Sequence, residues 1–249
     1  MSIVSFEKKF IFLKTRKVAG TSIEAELRKI TGENDIVPAV TPRDEFYSSK
    51  KGFFSKNYLR DKESESYYTD LVLDGRFEEA AEYLASQKAL APSHMKYARI
   101  KSIVENMGYD IKDFFVFTVD RHPYSWVVSS VLYNNSRYNK EGVLYREWSA
   151  DEVNLLVKDL LDKDDFTKRI NWNLYSLGDD VMVDRVLKYE ELDKELSDVF
   201  SKLGERFCGL PELKLNSRHV DAGKILEKEN KDAIFLKMKH VFETLGYDR

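Results

Sequence analysis

The chain has 249 residues, of which 43% are hydrophobic and 33% charged, and its formal net charge at pH 7 is −3. This composition excludes a disordered chain, and the negative net charge argues against a general nucleic-acid binder, which needs a basic excess. The single cysteine, Cys208, excludes an internal disulfide framework. No apolar run approaches the roughly 18 residues of a membrane span. Together with the single cysteine and the net charge, this predicts a cytoplasmic protein that binds neither membrane nor nucleic acid.

Three apolar segments predict buried strands. They are residues 10–13 (FIFL), residues 114–119 (FFVFTV) and the weaker, partly alternating residues 181–187 (VMVDRVL). Continuous apolar runs of this length are typical of a parallel sheet that is covered on both faces.

Helical periodicity separates the predicted strands. Strands that alternate with helices predict a single α/β domain of the doubly wound type, with a mainly parallel sheet flanked by helices. The helical segments are residues 21–30, 77–90, 95–107, 124–133, 150–161, 192–203 and 232–245.

We expect an insertion at about residues 41–90. Its first part, residues 41–68, is rich in Lys, Ser and Tyr and shows no clear period. Two interpretations stay open for this part: a solvated surface insertion, or a lid or acceptor-binding loop, since long irregular segments are often functional.

A basic turn follows the first predicted strand directly. Residues 14–22 (KTRKVAGTS) lead from this strand into a helical segment. Free backbone N–H groups and the positive end of the helix dipole make such a junction a site for anions. The Gly-x-x-x-x-Gly-Lys pattern of nucleotide triphosphatases is absent. The alternative is a helix capped by Thr21 or Ser22, with solvated cations.

A second candidate site follows the strand predicted at residues 114–119, where the sequence is DRHPYSWVVS. Pro123 suits the first turn of a helix, so Arg121 is expected at the carboxyl end of a parallel strand, where ligands bind in open α/β sheets. Ser129 then lies roughly two turns into the helix. An Arg fork and a hydroxyl suit a phosphate monoester; a capped helix with a solvated Arg is the alternative.

Taken together, these stretches resemble the sulfotransferases that use 3′-phosphoadenosine 5′-phosphosulfate (PAPS), especially the carbohydrate and heparan sulfate branch and its bacterial relatives. Residues 16–22 (RKVAGTS) are similar to the family's 5′-phosphosulfate loop, with Arg16 in place of the usual proline. Residues 121–124 (RHPY) and Ser129 fall in register with its 3′-phosphate motif, and Trp126 replaces a frequent Arg. Residues 183–192, ending in YEEL, and residues 215–218 are weaker similarities.

The resemblance implies one sulfotransferase domain over residues 1–249, with a P-loop-like doubly wound sheet. It implies transfer of the sulfuryl group of PAPS to a hydroxyl or amine of a small-molecule or carbohydrate acceptor. Lys17 would stabilise the charge that develops on the leaving phosphate. The resemblance further implies cofactor contacts from Arg16, Lys17, Gly20, Thr21 and Ser22 to the 5′-phosphate, from Arg121 and Ser129 to the 3′-phosphate, and from Arg218 in the late loop.

His94 is the candidate general base. It precedes a helical segment ahead of the Arg121 strand, as a histidine often does in members of this family. A free imidazole would lose activity on acidification through roughly pH 6–7. His122 is expected to be structural, and His240, on the last helix, to be solvated or packed. Cys208 is expected to be a small buried hydrophobic residue.

No transition-metal site is expected, since no His, Cys or carboxylate cluster has ligand spacing. Two other functions stay open. Asp120 ends an apolar strand as the Mg²⁺ ligand of a P-loop kinase would. A sulfotransferase-like binding protein without catalysis is the third possibility.

Overall fold

The computed structural model describes residues 2–90, 94–139, 142–144, 147–210 and 221–249. Within these residues the chain is an α/β protein, as predicted. The strands are β1 (Ile3–Ser5), β2 (Phe10–Leu13), β3 (Phe115–Asp120), β4 (Arg137–Asn139), β5 (Gly142–Leu144), β6 (Ser176–Leu177), β7 (Asp180–Val181) and β8 (Arg185–Lys188).

Helices connect and cover these strands. In chain order they are α1 (Gly20–Arg28), α2 (Pro42–Ser49), α3 (Lys62–Leu73), α4 (Phe77–Ser86), α5 (Tyr97–Asn106), α6 (Pro123–Asn135), α7 (Ala150–Leu161), α8 (Phe166–Arg169), α9 (Trp172–Tyr175), α10 (Leu192–Lys202), α11 (Ala222–Ile225) and α12 (Lys228–Leu245).

The central sheet has four strands in the order β1-β2-β3-β8. Strands β2, β3 and β8 are parallel, whereas β1 pairs antiparallel with β2, so the sheet is mixed. The two small sheets, β4-β5 and β6-β7, are antiparallel hairpins. The predicted strand at residues 10–13 is confirmed, and the one at residues 114–119 is confirmed with a shift of one residue.

The single strand predicted at residues 181–187 is wrong, because this stretch is divided between β7 and β8. Met182 still donates its N–H to the carbonyl of Tyr175, the residue before β6, at 2.9 Å. Two residues later, Asp184 donates its N–H to the Val116 carbonyl and accepts the Val116 N–H, at 2.8 and 2.7 Å. The chain therefore changes sheets at Asp184.

Both faces of the central sheet are covered, because successive residues of β2 and β3 point to opposite sides. Ile11, Leu13 and Val116 pack in a cluster with side chains of α5, α6, α7 and α12. Phe10, Phe12 and their neighbours pack in a second cluster with side chains of α1 and α10. The sheet lies between these two apolar layers, as the continuous apolar runs predict.

The expectation of an irregular segment at residues 41–68 is wrong, because helices α2 and α3 form there. Thr41 and Asp61 cap them, and each side chain accepts a backbone N–H of the first turn. With α4 they enclose a separate small core that contains Tyr58, Tyr68 and Leu71. The apolar pattern of this segment is too weak to predict the helices, since α3 buries only one narrow side.

Two further comparisons with the sequence concern helices and Cys208. The helix at residues 150–161 is confirmed as predicted, and the other predicted helices are confirmed with shifted ends. Cys208 is exposed, so its predicted burial is wrong. Among the described helices, none combines the length and the apolar composition that a membrane span requires.

Candidate functional site

The parallel strands β2, β3 and β8 end at one edge of the sheet, at Leu13, Asp120 and Lys188. Two threonine hydroxyls link the ends of β2 and β3 by hydrogen bonds. Thr118 donates its hydroxyl to the Leu13 carbonyl at 2.6 Å, and Thr15 donates to the Val119 carbonyl. The basic turn, Arg121 and the YEEL segment therefore start from fixed points beside one another.

The basic turn enters α1 through two left-handed residues, Lys17 (φ 64°) and Ala19 (φ 55°). Non-glycine residues rarely adopt this conformation, and such strain concentrates at functional sites. Ala19 occupies the N-cap position, and no side chain caps the helix. The predicted alternative, a cap by Thr21 or Ser22, is therefore wrong. The N–H groups of Gly20 and Thr21 have no acceptor among the described residues.

The side chain of Lys14 passes close to Gly20, which has no side chain to block it. A Cβ atom at Gly20 would lie 2.5 Å from Cε of Lys14. Lys14 continues to the buried carboxylate of Glu24, with 2.5 Å between Nζ and Oε2. The charge of Lys14 is thus balanced within the protein.

Lys17 and Arg16 point in different directions. The Lys17 ammonium lies 3.6 Å from the centroid of the Tyr133 ring, on the last turn of α6. The Arg16 guanidinium donates to the Arg169 carbonyl at 3.2 Å. Burial, and secondly the charge of Arg169, lower the pKa of Arg16. Of these two cations, Lys17 is the one that lies over α6.

The backbone of Arg16 is held on both sides by Asn171, which is 2% exposed. Asn171 Oδ1 accepts the Arg16 N–H at 2.8 Å, and its Nδ2 donates to the Arg16 carbonyl at 3.0 Å. The indole N–H of Trp126 donates to the same carbonyl at 3.2 Å. The sequence analysis missed Asn171, although an asparagine between the apolar Ile170 and Trp172 was a signal of a buried polar contact.

Arg121 is half-buried just beyond the end of β3. Its Nη1 donates to the Lys17 carbonyl at 3.4 Å, and its guanidinium carbon lies 4.3 Å from the centroid of the Tyr189 ring. Its Nε is buried without a hydrogen-bond partner among the described residues. Burial lowers the pKa of Arg121, yet a guanidinium remains charged. A half-buried cation with an unused donor is suited to an anionic ligand.

Ser129 lies on the same face of α6 as Tyr133, one helical turn before it. The contact between Lys17 and Tyr133 shows that this face meets the basic turn. Lys17 is therefore contacted by Arg121 through its carbonyl and by Tyr133 through its ammonium. Of the sequence-predicted residues, the structure brings Lys17 and Arg121 into contact, and Ser129 lies one helical turn before the tyrosine that Lys17 contacts.

Asp120 is 3% exposed, and both of its carboxylate oxygens are engaged. Oδ2 accepts the hydroxyl of Tyr175 at 2.6 Å, while Oδ1 accepts the Arg121 N–H at 2.8 Å and the Asn171 amide at 3.1 Å. Burial raises the pKa of Asp120 to about 6. These contacts join β3 to Asn171. Because they engage both carboxylate oxygens, Asp120 is poorly suited to bind the Mg²⁺ ion that a kinase needs. No group of potential metal ligands occurs among the described residues.

His94 contacts the basic turn, with 3.2 Å between Nδ1 and the Lys14 carbonyl. Because a carbonyl only accepts, Nδ1 carries the proton and the lone pair of the neutral ring is on Nε2. Burial, and then the positive charges of Lys14 and Arg16, lower the pKa of His94 to about 4. The neutral ring of His94 therefore persists below pH 6–7, where a free imidazole would become protonated.

The YEEL segment directly follows β8, the third of the parallel strands, and lies beside Arg121. Tyr189 packs against Arg121. Glu190 accepts the backbone N–H of His122 at 2.9 Å and the Tyr247 hydroxyl at 3.4 Å. His122 caps α6 by accepting the Tyr124 N–H at 3.3 Å. The YEEL segment thus holds Arg121 and the start of α6 in position. Arg218 lies outside the described residues.

The chain matches no protein-family model, no curated protein and no solved structure.

Proposed function

We propose that this chain is a PAPS-dependent sulfotransferase with the P-loop-like doubly wound fold of that family. The observation that carries the proposal is Arg121, a half-buried cation whose buried Nε has no partner among the described residues, beside the Lys17 carbonyl at the carboxyl edge of a parallel sheet. Sites of this kind bind phosphates through an Arg fork and free backbone N–H groups.

Each residue then has a defined task. Arg121 and Ser129 would hold the 3′-phosphate, and the free N–H groups of Gly20 and Thr21 the 5′-phosphate, with the Ser22 hydroxyl and Arg16 beside them. PAPS, when bound, supplies the sulfuryl group. His94 Nε2 takes the acceptor proton while the acceptor oxygen or nitrogen bonds to sulfur and the bond from sulfur to the 5′-phosphate oxygen breaks. Lys17 stabilises the negative charge left on that oxygen.

Calorimetry with adenosine 3′,5′-bisphosphate and AMP tests the proposal. The bisphosphate should bind more tightly, because AMP leaves Arg121 without an anion. Arg121→Ala should weaken bisphosphate binding by about 1.5–3 kcal/mol, the range for hydrogen bonds to a charged group, and should leave AMP affinity nearly unchanged. Lys228→Ala, an exposed change at the start of α12, is the control. Equal affinity of the parent for the two nucleotides would contradict the proposal.

A further inference from the structure

The three cations of the basic turn are held by three different kinds of group. Lys14 is paired with the buried carboxylate of Glu24, with 2.5 Å between Nζ and Oε2. Arg16 donates to a backbone carbonyl at 3.2 Å. The ammonium of Lys17 instead lies over an aromatic ring, 3.6 Å from the centroid of Tyr133. The nature of the holding group therefore distinguishes Lys17 from the other two cations.

The kind of holding group decides what remains of the positive charge. A carboxylate orders an ammonium and also neutralises it, as Glu24 does for Lys14. An aromatic ring has no formal charge, and it attracts a cation through the negative potential on its face. The contact with Tyr133 thus orders the Lys17 ammonium without cancelling its charge. Such a contact suits a lysine whose charge acts on a bound anion.

Both ends of Lys17 are held by the same segment of the chain. Its carbonyl accepts a hydrogen bond from Arg121 Nη1 at 3.4 Å, and its ammonium meets Tyr133 on the last turn of α6. Helix α6 begins at Pro123, two residues after Arg121. A lysine side chain loses much conformational entropy when it is fixed. Contacts that order Lys17 before the ligand binds reduce this loss at the moment of binding.

We propose that Tyr133 is a positioning residue for Lys17. Its ring keeps the charged ammonium at the basic turn, for an anion bound by the N–H groups of Gly20 and Thr21. The catalytic part of this inference rests on the proposed sulfotransferase function, in which Lys17 stabilises the oxygen that remains on the 5′-phosphate. In this role Tyr133 acts through Lys17 and not on the reacting atoms. It lies four residues beyond Ser129, outside the motifs that carry the resemblance.

Exchange of the ring tests the proposal, and the exposed fraction of Tyr133, 45%, makes such exchanges compatible with folding. The readout is release of adenosine 3′,5′-bisphosphate from PAPS with water as the acceptor, because charge develops on the leaving oxygen with any acceptor. Tyr133→Leu should lower kcat by about two- to fivefold, which equals about 0.5–1 kcal/mol for a cation over an exposed ring. KM for PAPS should change little, and Tyr133→Phe, which keeps the ring, should retain the parental rate. A parental rate in Tyr133→Leu, or an equal loss in Tyr133→Phe, would overturn the proposal.

A graded change of the ring separates its charge distribution from its size. Phenylalanine with one, two or three fluorine atoms on the ring is incorporated at position 133, because fluorine withdraws electron density from the ring face at nearly constant size. The value of kcat should fall stepwise as fluorine is added. Equal rates along the series would show that the ring only fills space, and the contact with the cation would then be excluded as the cause.

A double-mutant cycle tests whether Tyr133 acts through Lys17. In the Lys17→Ala background, Tyr133→Leu should cause no further loss of kcat, because no ammonium remains to be positioned. Tyr47→Leu, a change of an exposed tyrosine on α2, is the matched control and should keep the parental rate. If Tyr133→Leu lowered kcat by the same factor with and without Lys17, the proposal would be wrong.

NMR of the ligand-free protein tests the contact itself. Protons over the face of an aromatic ring are shifted upfield, and the ε-methylene group of Lys17 adjoins an ammonium in that position. Its signal, assigned through Lys17→Ala, should therefore lie upfield of that of the exposed Lys51 and return towards it in Tyr133→Leu. An unshifted parental signal would contradict the inference.

The two proposals fail in different ways. A parent that does not bind adenosine 3′,5′-bisphosphate in calorimetry contradicts the proposed function, whatever the NMR result. A parent that binds the bisphosphate and shows no effect of the ring exchanges contradicts only the role of Tyr133.

Discussion

Lys17 stands in a left-handed backbone conformation (φ 64°), with its ammonium over the Tyr133 ring. If it stabilises the leaving oxygen, its charge acts mainly in the transition state. We expect Lys17→Ala to reduce turnover by about 10²-fold or more, as for the loss of a transition-state charge contact. Bisphosphate affinity should change little. Steady-state turnover with PAPS and calorimetry with the bisphosphate measure the two effects.

The control for Lys17→Ala is Lys51→Ala, since Lys51 is exposed after α2. If Lys17→Ala kept turnover within about twofold of the parent, a transition-state role would be excluded. Arg16 would then be the better candidate, because Lys14 is paired with Glu24.

His94 is the second residue whose role depends on one contact, the 3.2 Å approach of its Nδ1 to the Lys14 carbonyl. His94→Ala should reduce turnover by about 10²-fold, the lower end for a general base. His94→Gln keeps a polar side chain but no base, so it should be equally impaired. A variant that keeps most of its turnover would exclude His94 as the base.

The pH profile of the parent gives an independent test. A base acts only in its unprotonated form, so activity is lost when the pH falls through its pKa. Because burial, Lys14 and Arg16 lower the pKa of His94 to about 4, kcat/KM should be level between pH 6 and 7, where a free imidazole would titrate. A fall in kcat/KM centred at pH 6–7 would show that another group, or an exposed His94, controls the rate.

At the scale of elements, the site depends on contacts between segments that are far apart in the chain. Asn171 precedes α9 and binds both the N–H and the carbonyl of Arg16. Asn171→Ala leaves these backbone groups without partners, which should lower the free energy of unfolding by about 1–3 kcal/mol. Bisphosphate affinity should fall as well, because the basic turn loses its clamp. Urea unfolding and calorimetry measure both effects.

Asn173→Ala is the matched control for Asn171→Ala. Asn173 is half-buried two residues later, and its amide donates to the Thr167 carbonyl at 2.6 Å, away from the basic turn. If the two variants lowered bisphosphate affinity equally, Asn171 would not be a specific positioning residue.

Asp120 connects β3 with Asn171. The shift of its pKa predicts how the free energy of unfolding varies with pH. Burial raises its pKa from 3.8 to about 6, so the folded state favours the protonated carboxyl. The contribution to stability is complete below pH 3.8 and is lost as the pH rises through about 6, by up to about 3 kcal/mol. In urea unfolding at several pH values, Asp120→Asn should lack this loss. An identical pH dependence in both proteins would contradict the prediction.

At the scale of the whole molecule, the sequence predicted the parts that local pattern determines. Apolar runs indicated β2 and β3, and periodicity indicated α6, α7 and α10. The turn after β2 and Arg121 after β3 were placed at one sheet edge by the rule for parallel strands, and Arg121 does contact Lys17.

The rest depends on contacts between distant segments, which one sequence does not display. Asn171 acts on Arg16, 155 residues away. Asp184 lies between β7 and β8 and forms two hydrogen bonds with Val116, which is 68 residues away in the chain. Helices α2 and α3 escaped the periodicity analysis because the residues that they bury are few and partly polar.

The strand order has a consequence for folding during synthesis. The partners of β2 in β3 lie 105 residues further along the chain. At translation rates of about 5–20 residues per second, β2 waits roughly 5–20 s for its parallel neighbour. Until then only β1 can pair with it, and its other edge exposes the apolar FIFL segment. Nascent chains of this protein are therefore candidates for chaperone binding before β3 emerges, and the edge of the sheet that carries the candidate site is among the last parts to form.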